Sequence, residues 1–324
     1  MNLQLSSEHI KAEAKRLGFS ACGIAQALPV DSDVALRFNT WLEQGGHAEM
    51  SYMARNVEKR LNPLLLMPEV KSIVSVALNY TPARRISPGE PQIAAYALGH
   101  DYHDVVKNKL HALAAALGIT AYRAFCDTAP VLERYWAVKA GIGWIGNNHQ
   151  LYVKGAGSMC FLGELFLTIP LAADRPLPHA GCGSCRACID RCPAHALDKD
   201  TFHASRCLSY LTIEHRGPLP PQAAQWMHAT PGTPLFYGCD RCTEVCPYNA
   251  PKRTATDNDG NGLRAGGDGT MPANDDFWKH LTLADYRHIF RGSAVKRAKY
   301  EGLMRNIRAF YGEESAENDA PDSL

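Results

Sequence analysis

Cys182-Gly-Ser-Cys185-Arg-Ala-Cys188-Ile-Asp-Arg-Cys192-Pro193 decides the fold, with Cys239-Asp-Arg-Cys242-Thr-Glu-Val-Cys246-Pro247 as its echo. The first run has the C-x2-C-x2-C-x3-C-P spacing that holds iron–sulfur clusters. The second reads C-x2-C-x3-C-P. It is one thiol short, and Cys207 stands between the runs to supply it. Three clustered thiolates fit one face of an iron–sulfur cube, while the fourth, held by the Pro turn, points to the partner cluster. Crossing the runs assigns Cys182, Cys185, Cys188 and Cys246 to one [4Fe–4S] cluster, and Cys192, Cys207, Cys239 and Cys242 to the other. Structural zinc also uses paired C-x2-C units. Zinc needs neither the third thiol at x2 nor the C-P closing both runs, so the spacing favours two clusters.

The remaining composition agrees with an intracellular metalloprotein. Of 324 residues 46% are hydrophobic and 21% charged, which excludes a disordered chain. Eleven cysteines are many for a chain that can fold without disulfides, and a reducing compartment points them to metal or redox chemistry. Cys22, Cys126 and Cys160 lie apart from the runs and read as small buried hydrophobes, although Cys126 adjoins Asp127. No apolar run reaches the ~18 residues that span a bilayer, and the first residues lack a secretory pattern. A cytoplasmic monomer with no membrane contact is expected. A net charge of +1 confines any nucleic-acid contact to a local patch.

Strands and helices alternate over residues 1–175, an α/β domain. Helices are expected over 6–17, 102–117 and 130–140, and strands over 19–25, 71–78, 120–125 and 161–169. Residues 176–255 hold the eight clustered cysteines with weak periodicity, a small domain built around its clusters. The Asp-, Asn- and Gly-rich stretch 257–276 reads as a linker within a segment 256–312 that ends in basic helix, and 313–324 as an acidic disordered tail.

Several motifs fail on inspection. Gly141-Ile-Gly143-Trp-Ile-Gly146 is a literal G-x-G-x-x-G, but a helix precedes it where a dinucleotide site needs a strand. Its glycines instead predict a turn and close backbone approach to something flat. No P-loop is present. Asp101-Tyr-His103 begins the D-x-H-x-x-G pattern that supplies a cobalt-ligating histidine, yet position 106 is Val, so His103 reads as an ordinary helix-start residue. Asp127 lies between a strand and a helix that opens near Pro130. That is a capping position, and also the end of a strand where α/β proteins place catalytic groups.

Taken in order, Arg60-Leu-Asn-Pro63, Tyr96-Ala-Leu-Gly-His-Asp-Tyr-His103, Asp127-Thr-Ala-Pro-Val-Leu-Glu-Arg134, Ala140-Gly-Ile-Gly-Trp-Ile-Gly146 and the two cysteine runs with Tyr237-Gly-Cys239-Asp between them closely resemble the epoxyqueuosine reductase family, from about residue 5 to about 310. The resemblance implies an α/β (α+β) fold: a nitroreductase-like cobalamin-binding domain followed by a two-cluster ferredoxin-like domain. It implies reduction of epoxyqueuosine to queuosine at the wobble position of tRNA, the final step of queuosine biosynthesis. The implied partners are that tRNA and an external low-potential electron donor. By matching motif, Asp127 would be the proton donor, and Arg60, Ala94, Ser158, Asp240 and Arg241 would lie with it against a base-off cobalamin. Burial against the corrin would raise the Asp127 pKa. Many members have Lys where this chain has Asn147, and longer members add a C-terminal helical-repeat extension. Arg291, Lys296, Arg297, Lys299, Arg305 and Arg308, against Glu301 alone, form the expected phosphate-binding face. A flipped wobble base would enter the cobalamin cavity. Two alternatives share some features. A corrinoid reductive dehalogenase would carry a twin-Arg export signal, and none stands here. A ferredoxin-type electron carrier would not need a domain of this size before its clusters.

Overall fold

The structure is a computed structural model that describes residues 5–82, 90–178, 181–229, 233–249 and 274–312. The first half runs α1 (Ser7–Arg16), β1 (Ala21–Gln26), α2 (Ser32–Glu43), α3 (Val57–Leu61), β2 (Ser72–Asn79), β3 (Gln92–Ile93), α4 (Tyr102–Ala116), β4 (Tyr122–Phe125), α5 (Glu133–Lys139), β5 (Gly143–Ile145), β6 (Leu151–Val153) and β7 (Cys160–Leu167). The second half adds α6 (Ala187–Arg191), α7 (Leu208–Ile213), α8 (Ala223–Met227), β8 (Leu235–Tyr237), α9 (Arg241–Glu244), α10 (Asp275–Lys279), α11 (Leu283–Ile289) and α12 (Lys299–Tyr311).

A four-stranded sheet of order β1–β2–β7–β4 forms the centre, every neighbouring pair antiparallel. The two central strands are apolar on both faces because both faces are covered. Ile10 and Ala14 of α1 and Val106, Leu110, Leu113 and Ala114 of α4 bury one face with Val74, Val76 and Leu165. Trp136 and Tyr135 of α5 bury the other with Ile73 and Phe166. Burying Trp136 and Phe166, each at most 2% exposed, contributes about 1.5–3 kcal/mol apiece. Local chemistry sets the ends of α1: the Ser6 hydroxyl caps it by accepting the His9 N–H, and Gly18 leaves it at φ 85°.

The two halves are stitched together. β3 pairs in parallel with β8, and the Tyr96 hydroxyl donates to that of Tyr237 at 3.1 Å. Ile93 and Ala97 then share one core with Phe236, Trp278, Val295 and Leu303. The basic C-terminal helices thus pack on the strand between the two cysteine runs. The expected linker lies outside the described residues up to 273, and Asp275 and Asp276 open α10. The acidic tail also lies outside the described residues. Among the described residues no helix is long and apolar enough to cross a membrane.

Candidate active site

The halves enclose a cavity of about 1310 Å³, above the ~300–1,000 Å³ of ordinary small-molecule pockets. Asp127, His103 and Tyr102 line one side, and Cys192, Cys207, Cys239 and Cys242 line another. Those four thiols also share one electrostatic neighbourhood: Cys242 feels Cys239, Cys207 and Cys192. Cys188 feels Cys182 and Cys246, away from the cavity. The thiols therefore fall into two groups, one at the cavity and one behind it. Burial pushes the Cys239 thiol up to about 12 and raises Cys188, Cys207 and Cys242 as well. Such thiols ionise only when a metal centre compensates them. No three His, Cys, Asp or Glu side chains among the described residues converge on a single-ion site. None of the eight thiols is in a disulfide.

Asp127 is not a helix cap. The N-cap of α5 is Leu132, with no side-chain cap bond. Asp127 adopts φ 57°, a left-handed conformation that Asp and Asn tolerate better than other side chains. That turn carries its carboxylate into the cavity, where 58% of the side chain is open. The Tyr102 hydroxyl donates to Oδ2, and His103 Nε2 lies 3.4 Å from the same oxygen. His103 Nδ1 sits 2.6 Å from Asp101, which also takes the Lys296 ammonium at 2.6 Å. His103 is thus no ordinary helix-start residue, because both of its ring nitrogens face carboxylates.

These contacts reverse the expected titration of Asp127. Burial disfavours its charge, but the hydrogen bonds from His103 and Tyr102 outweigh burial and hold the carboxyl below its ordinary value. Burial likewise works against a charged His103, and its bonds to Asp127 and Asp101 overcome this and raise it. The same contact therefore shifts the proton toward the imidazole and away from Asp127.

A stacked aromatic wall runs beside this group. Tyr80 and Tyr102 each lie 4.4 Å from the Phe161 ring, and Tyr102 stacks on His103 at 4.0 Å. Ala94, Ser158, Asp240 and Arg241 also line the cavity. Asp240 accepts the Ala95 N–H at 2.7 Å, and burial lifts its pKa to about 6. Asn249 holds Ser158 by two bonds of 2.9 Å, one to its N–H and one to its hydroxyl. The Arg241 guanidinium donates to the Trp226 and Met227 carbonyls, which leaves its buried Nε without a partner. Arg60 departs from expectation. It does not line the cavity; its guanidinium donates to the carbonyl of Tyr52, which does. Its buried Nε is also unpartnered.

Asn147 faces the rear thiols instead of the cavity: its side chain donates to the Cys185 carbonyl at 2.8 Å and its N–H reaches Cys182 Sγ at 3.4 Å. The glycine motif turns between α5 and β5, as expected. The flat group it approaches is the Tyr152 ring, 2.4 Å from a Cβ placed at Gly146. Of the three scattered cysteines Cys126 is buried, as expected, whereas Cys22 and Cys160 are half-buried and Cys160 borders the cavity.

The basic face is smaller than the sequence suggests. Arg305 spends its guanidinium on the carbonyls of Leu211, His215 and Gly217, Arg297 pairs with Glu214 at 2.7 Å, and Lys296 holds Asp101. Among the described residues Arg291, Lys299 and Arg308 make no ion pair. Lys299 stands at the cavity rim with φ 61°.

Comparison with known proteins extends this picture. Residues 60–128 match the family described as epoxyqueuosine reductase QueG, DUF1730, and residues 181–249 match the 4Fe-4S double cluster binding domain. The epoxyqueuosine reductase of Leadbetterella byssophila is 39% identical over 308 residues, 93% of this chain and 97% of that one. The structure of epoxyqueuosine reductase from Streptococcus thermophilus aligns with a TM-score of 0.79 at 28% identity, over 96% of this chain and 81% of that chain. A crystal structure of epoxyqueuosine reductase with a tRNA-Tyr epoxyqueuosine-modified stem loop aligns with a TM-score of 0.76 at 26% identity, over 94% of this chain and 80% of that chain.

Proposed function

Because the chain belongs to the epoxyqueuosine reductase family, we propose that it reduces epoxyqueuosine to queuosine at the wobble position of tRNA, as the final step of queuosine biosynthesis in the cytoplasm. The observation that carries this reading is the shared cavity, around which lie an acid–base group, three cysteines of the two runs and Cys207. A pure electron carrier has no use for such a chamber. Removing an epoxide oxygen as water takes two electrons and two protons, and side chains do not deliver low-potential electrons.

The donor sets fit the cofactors this chemistry requires. Cys192, Cys207, Cys239 and Cys242 would hold one [4Fe–4S] cluster at the cavity wall, and Cys182, Cys185, Cys188 and Cys246 the other behind it. The third thiol at x2 and the C-P closing both runs suit a cube better than tetrahedral zinc. The chamber fits a corrinoid by its volume, its flat aromatic wall and the unpartnered buried Nε of Arg241. Ala94, Ser158, Asp240 and Arg241 would border it, and Arg60 would support it through the Tyr52 carbonyl. When bound, cobalamin supplies a low-potential cobalt that delivers electrons the clusters replenish from an external donor. The chain's own work is acid–base chemistry and positioning. Asp127 takes a proton from His103 and passes it to the leaving oxygen, while Tyr102 fixes the carboxylate. Lys299 at the rim is placed for tRNA phosphate.

Anaerobic assay on tRNA containing epoxyqueuosine, followed by nucleoside mass spectrometry, tests the activity: queuosine is expected, and unchanged epoxide from protein loaded with cobalamin and both clusters would refute it. The cofactor has its own test. With both His103 nitrogens facing carboxylates, no imidazole is left for cobalt. Electron paramagnetic resonance of the Co(II) form should therefore lack axial nitrogen superhyperfine splitting, and such splitting would overturn the base-off assignment.

A further inference from the structure

Gly141-Ile-Gly143-Trp-Ile-Gly146 holds no dinucleotide, yet two of its glycines are sterically required. A Cβ at Gly143 would stand 2.2 Å from the Tyr152 carbonyl oxygen, across the pairing of β5 with β6. A Cβ at Gly146 would meet the Tyr152 ring at 2.4 Å and Cys182 Sγ at 3.3 Å. The missing side chains let the tip of this hairpin close on the first cysteine run. The tip is tied by the Gly146 N–H to the Gln150 carbonyl at 2.9 Å and by the His149 N–H to the Gly146 carbonyl at 2.8 Å. Those bonds leave the Asn147 N–H outside the hairpin's own pairing, and it reaches Cys182 Sγ at 3.4 Å. The Asn147 side chain donates to the Cys185 carbonyl at 2.8 Å. One residue of the α/β half thus grips both ends of the Cys182–Cys185 turn, which is itself closed by the Cys185 N–H on the Cys182 carbonyl at 3.1 Å. The next residue, Asn148, is 2% exposed and anchors the tip by donating to the Tyr152 hydroxyl at 3.0 Å.

We propose that Asn147 is a positioning residue for the rear iron–sulfur cluster, and that its N–H bond to Cys182 Sγ raises the reduction potential of that cluster. The inference rests on the two-cluster reading given above. Reduction adds a negative charge that is shared among the sulfides and the ligating thiolates. A hydrogen bond to a thiolate is therefore stronger in the reduced state, and each such bond moves the potential up. The donor here is fixed by its frame: the hairpin closure holds the N–H, and the side-chain amide holds the cysteine turn against it. Without the amide, the Cys185 carbonyl loses its donor and the Cys182–Cys185 turn is free to draw away from the N–H. The strap also joins the two halves of the chain, since the hairpin belongs to the α/β half and the turn to the cysteine-rich half. The cluster that stands behind the cavity wall is thereby tuned to accept an electron by the same half that carries Asp127.

Redox titration of the anaerobic full-length protein, followed by electron paramagnetic resonance, tests this on the clusters themselves and not on turnover. The wild type should show two one-electron midpoints. Asn147→Leu keeps the volume of the side chain and removes its donor. One midpoint should then fall, so that at a fixed poise the ratio of reduced to oxidised cluster drops roughly tenfold, or about 59 mV, while the other midpoint stays in place. In a Cys207→Ala background, expected to hold the rear cluster alone, the same fall should appear on the single remaining midpoint. Asn147→Gln, which retains an amide donor, should restore most of the potential. A residue that only closes a loop predicts another result, iron lost more readily to a chelator with both midpoints unmoved. Unmoved midpoints in an Asn147→Leu protein that holds its iron would overturn the proposal, as would a fall that is absent from the Cys207→Ala background. If Asn147→Leu does not fold or hold iron, Asn147→Ser, too short to reach the Cys185 carbonyl, carries the same expectation. A wild-type protein that takes up zinc and no iron would instead sink the two-cluster reading, and this inference with it.

Discussion

Asp127→Asn should leave a folded protein that binds its cofactors and tRNA but forms queuosine about 10²–10⁴ times more slowly in single turnover, a barrier higher by roughly 3–5 kcal/mol. Asn tolerates the φ of 57° at this turn, and its amide oxygen can still accept from Tyr102, so shape and backbone survive. What is lost is a carboxyl that can take a proton from His103 and pass it on. The helix-cap alternative would have predicted little effect, since Asn caps as well as Asp, but the N-cap position of α5 is Leu132. The proton store has also moved from where burial alone would put it. His103 is raised and Asp127 lowered by the same contact, with Asp101 reinforcing the imidazolium from the other side. The alkaline limb of turnover should therefore report His103 and lie above the ordinary imidazole range. Near-normal turnover in Asp127→Asn, measured with nucleoside mass spectrometry, would remove Asp127 from the proton path and leave His103 as the nearest acid.

How much of this was legible in the sequence depends on whether a feature is encoded by spacing or by packing. Seven of the eight cysteines sit at short fixed intervals, so the two runs could be read from the spacing alone, whereas Cys207 stands outside both. The amphipathic face of α4 and the buried run of β2 are local patterns, and both elements form close to where they are expected. Asp127 could be placed at a strand end but not in its left-handed turn. Its links to Tyr102 and His103 join the loop after β4 to the start of α4, and no local pattern encodes that. The two-residue pairing of β3 with β8 is too short for any periodicity to show, yet it joins the halves around the cavity. Counting charges misread α12, because Arg305 lies under α7 and serves carbonyls there.

Cys207→Ala should reduce the iron content from about eight to about four per chain and abolish queuosine formation from the physiological electron supply. Cys207 is the proposed ligand outside both runs, half-buried at the N-terminus of α7 on the cavity wall. Its electrostatic neighbours are thiols of the cavity-side set, and the rear set contains none of them. Loss of Cys207 therefore strips the near cluster and spares the one held by Cys182, Cys185, Cys188 and Cys246. Cys185→Ala is the mirror experiment, with the same iron loss but from the rear set. The two variants should then part company. With a small low-potential chemical reductant, Cys185→Ala retains the cluster next to the cavity and should recover a substantial part of its turnover, whereas Cys207→Ala should recover little, because nothing lies between the reductant and an enclosed site. Iron and sulfide analysis gives the first half of the result and single-turnover nucleoside analysis the second. Full retention of both clusters in Cys207→Ala would break the ligand assignment. Equal rescue of the two variants would leave the assignment standing and show instead that the cavity can be reduced without the cluster on its wall.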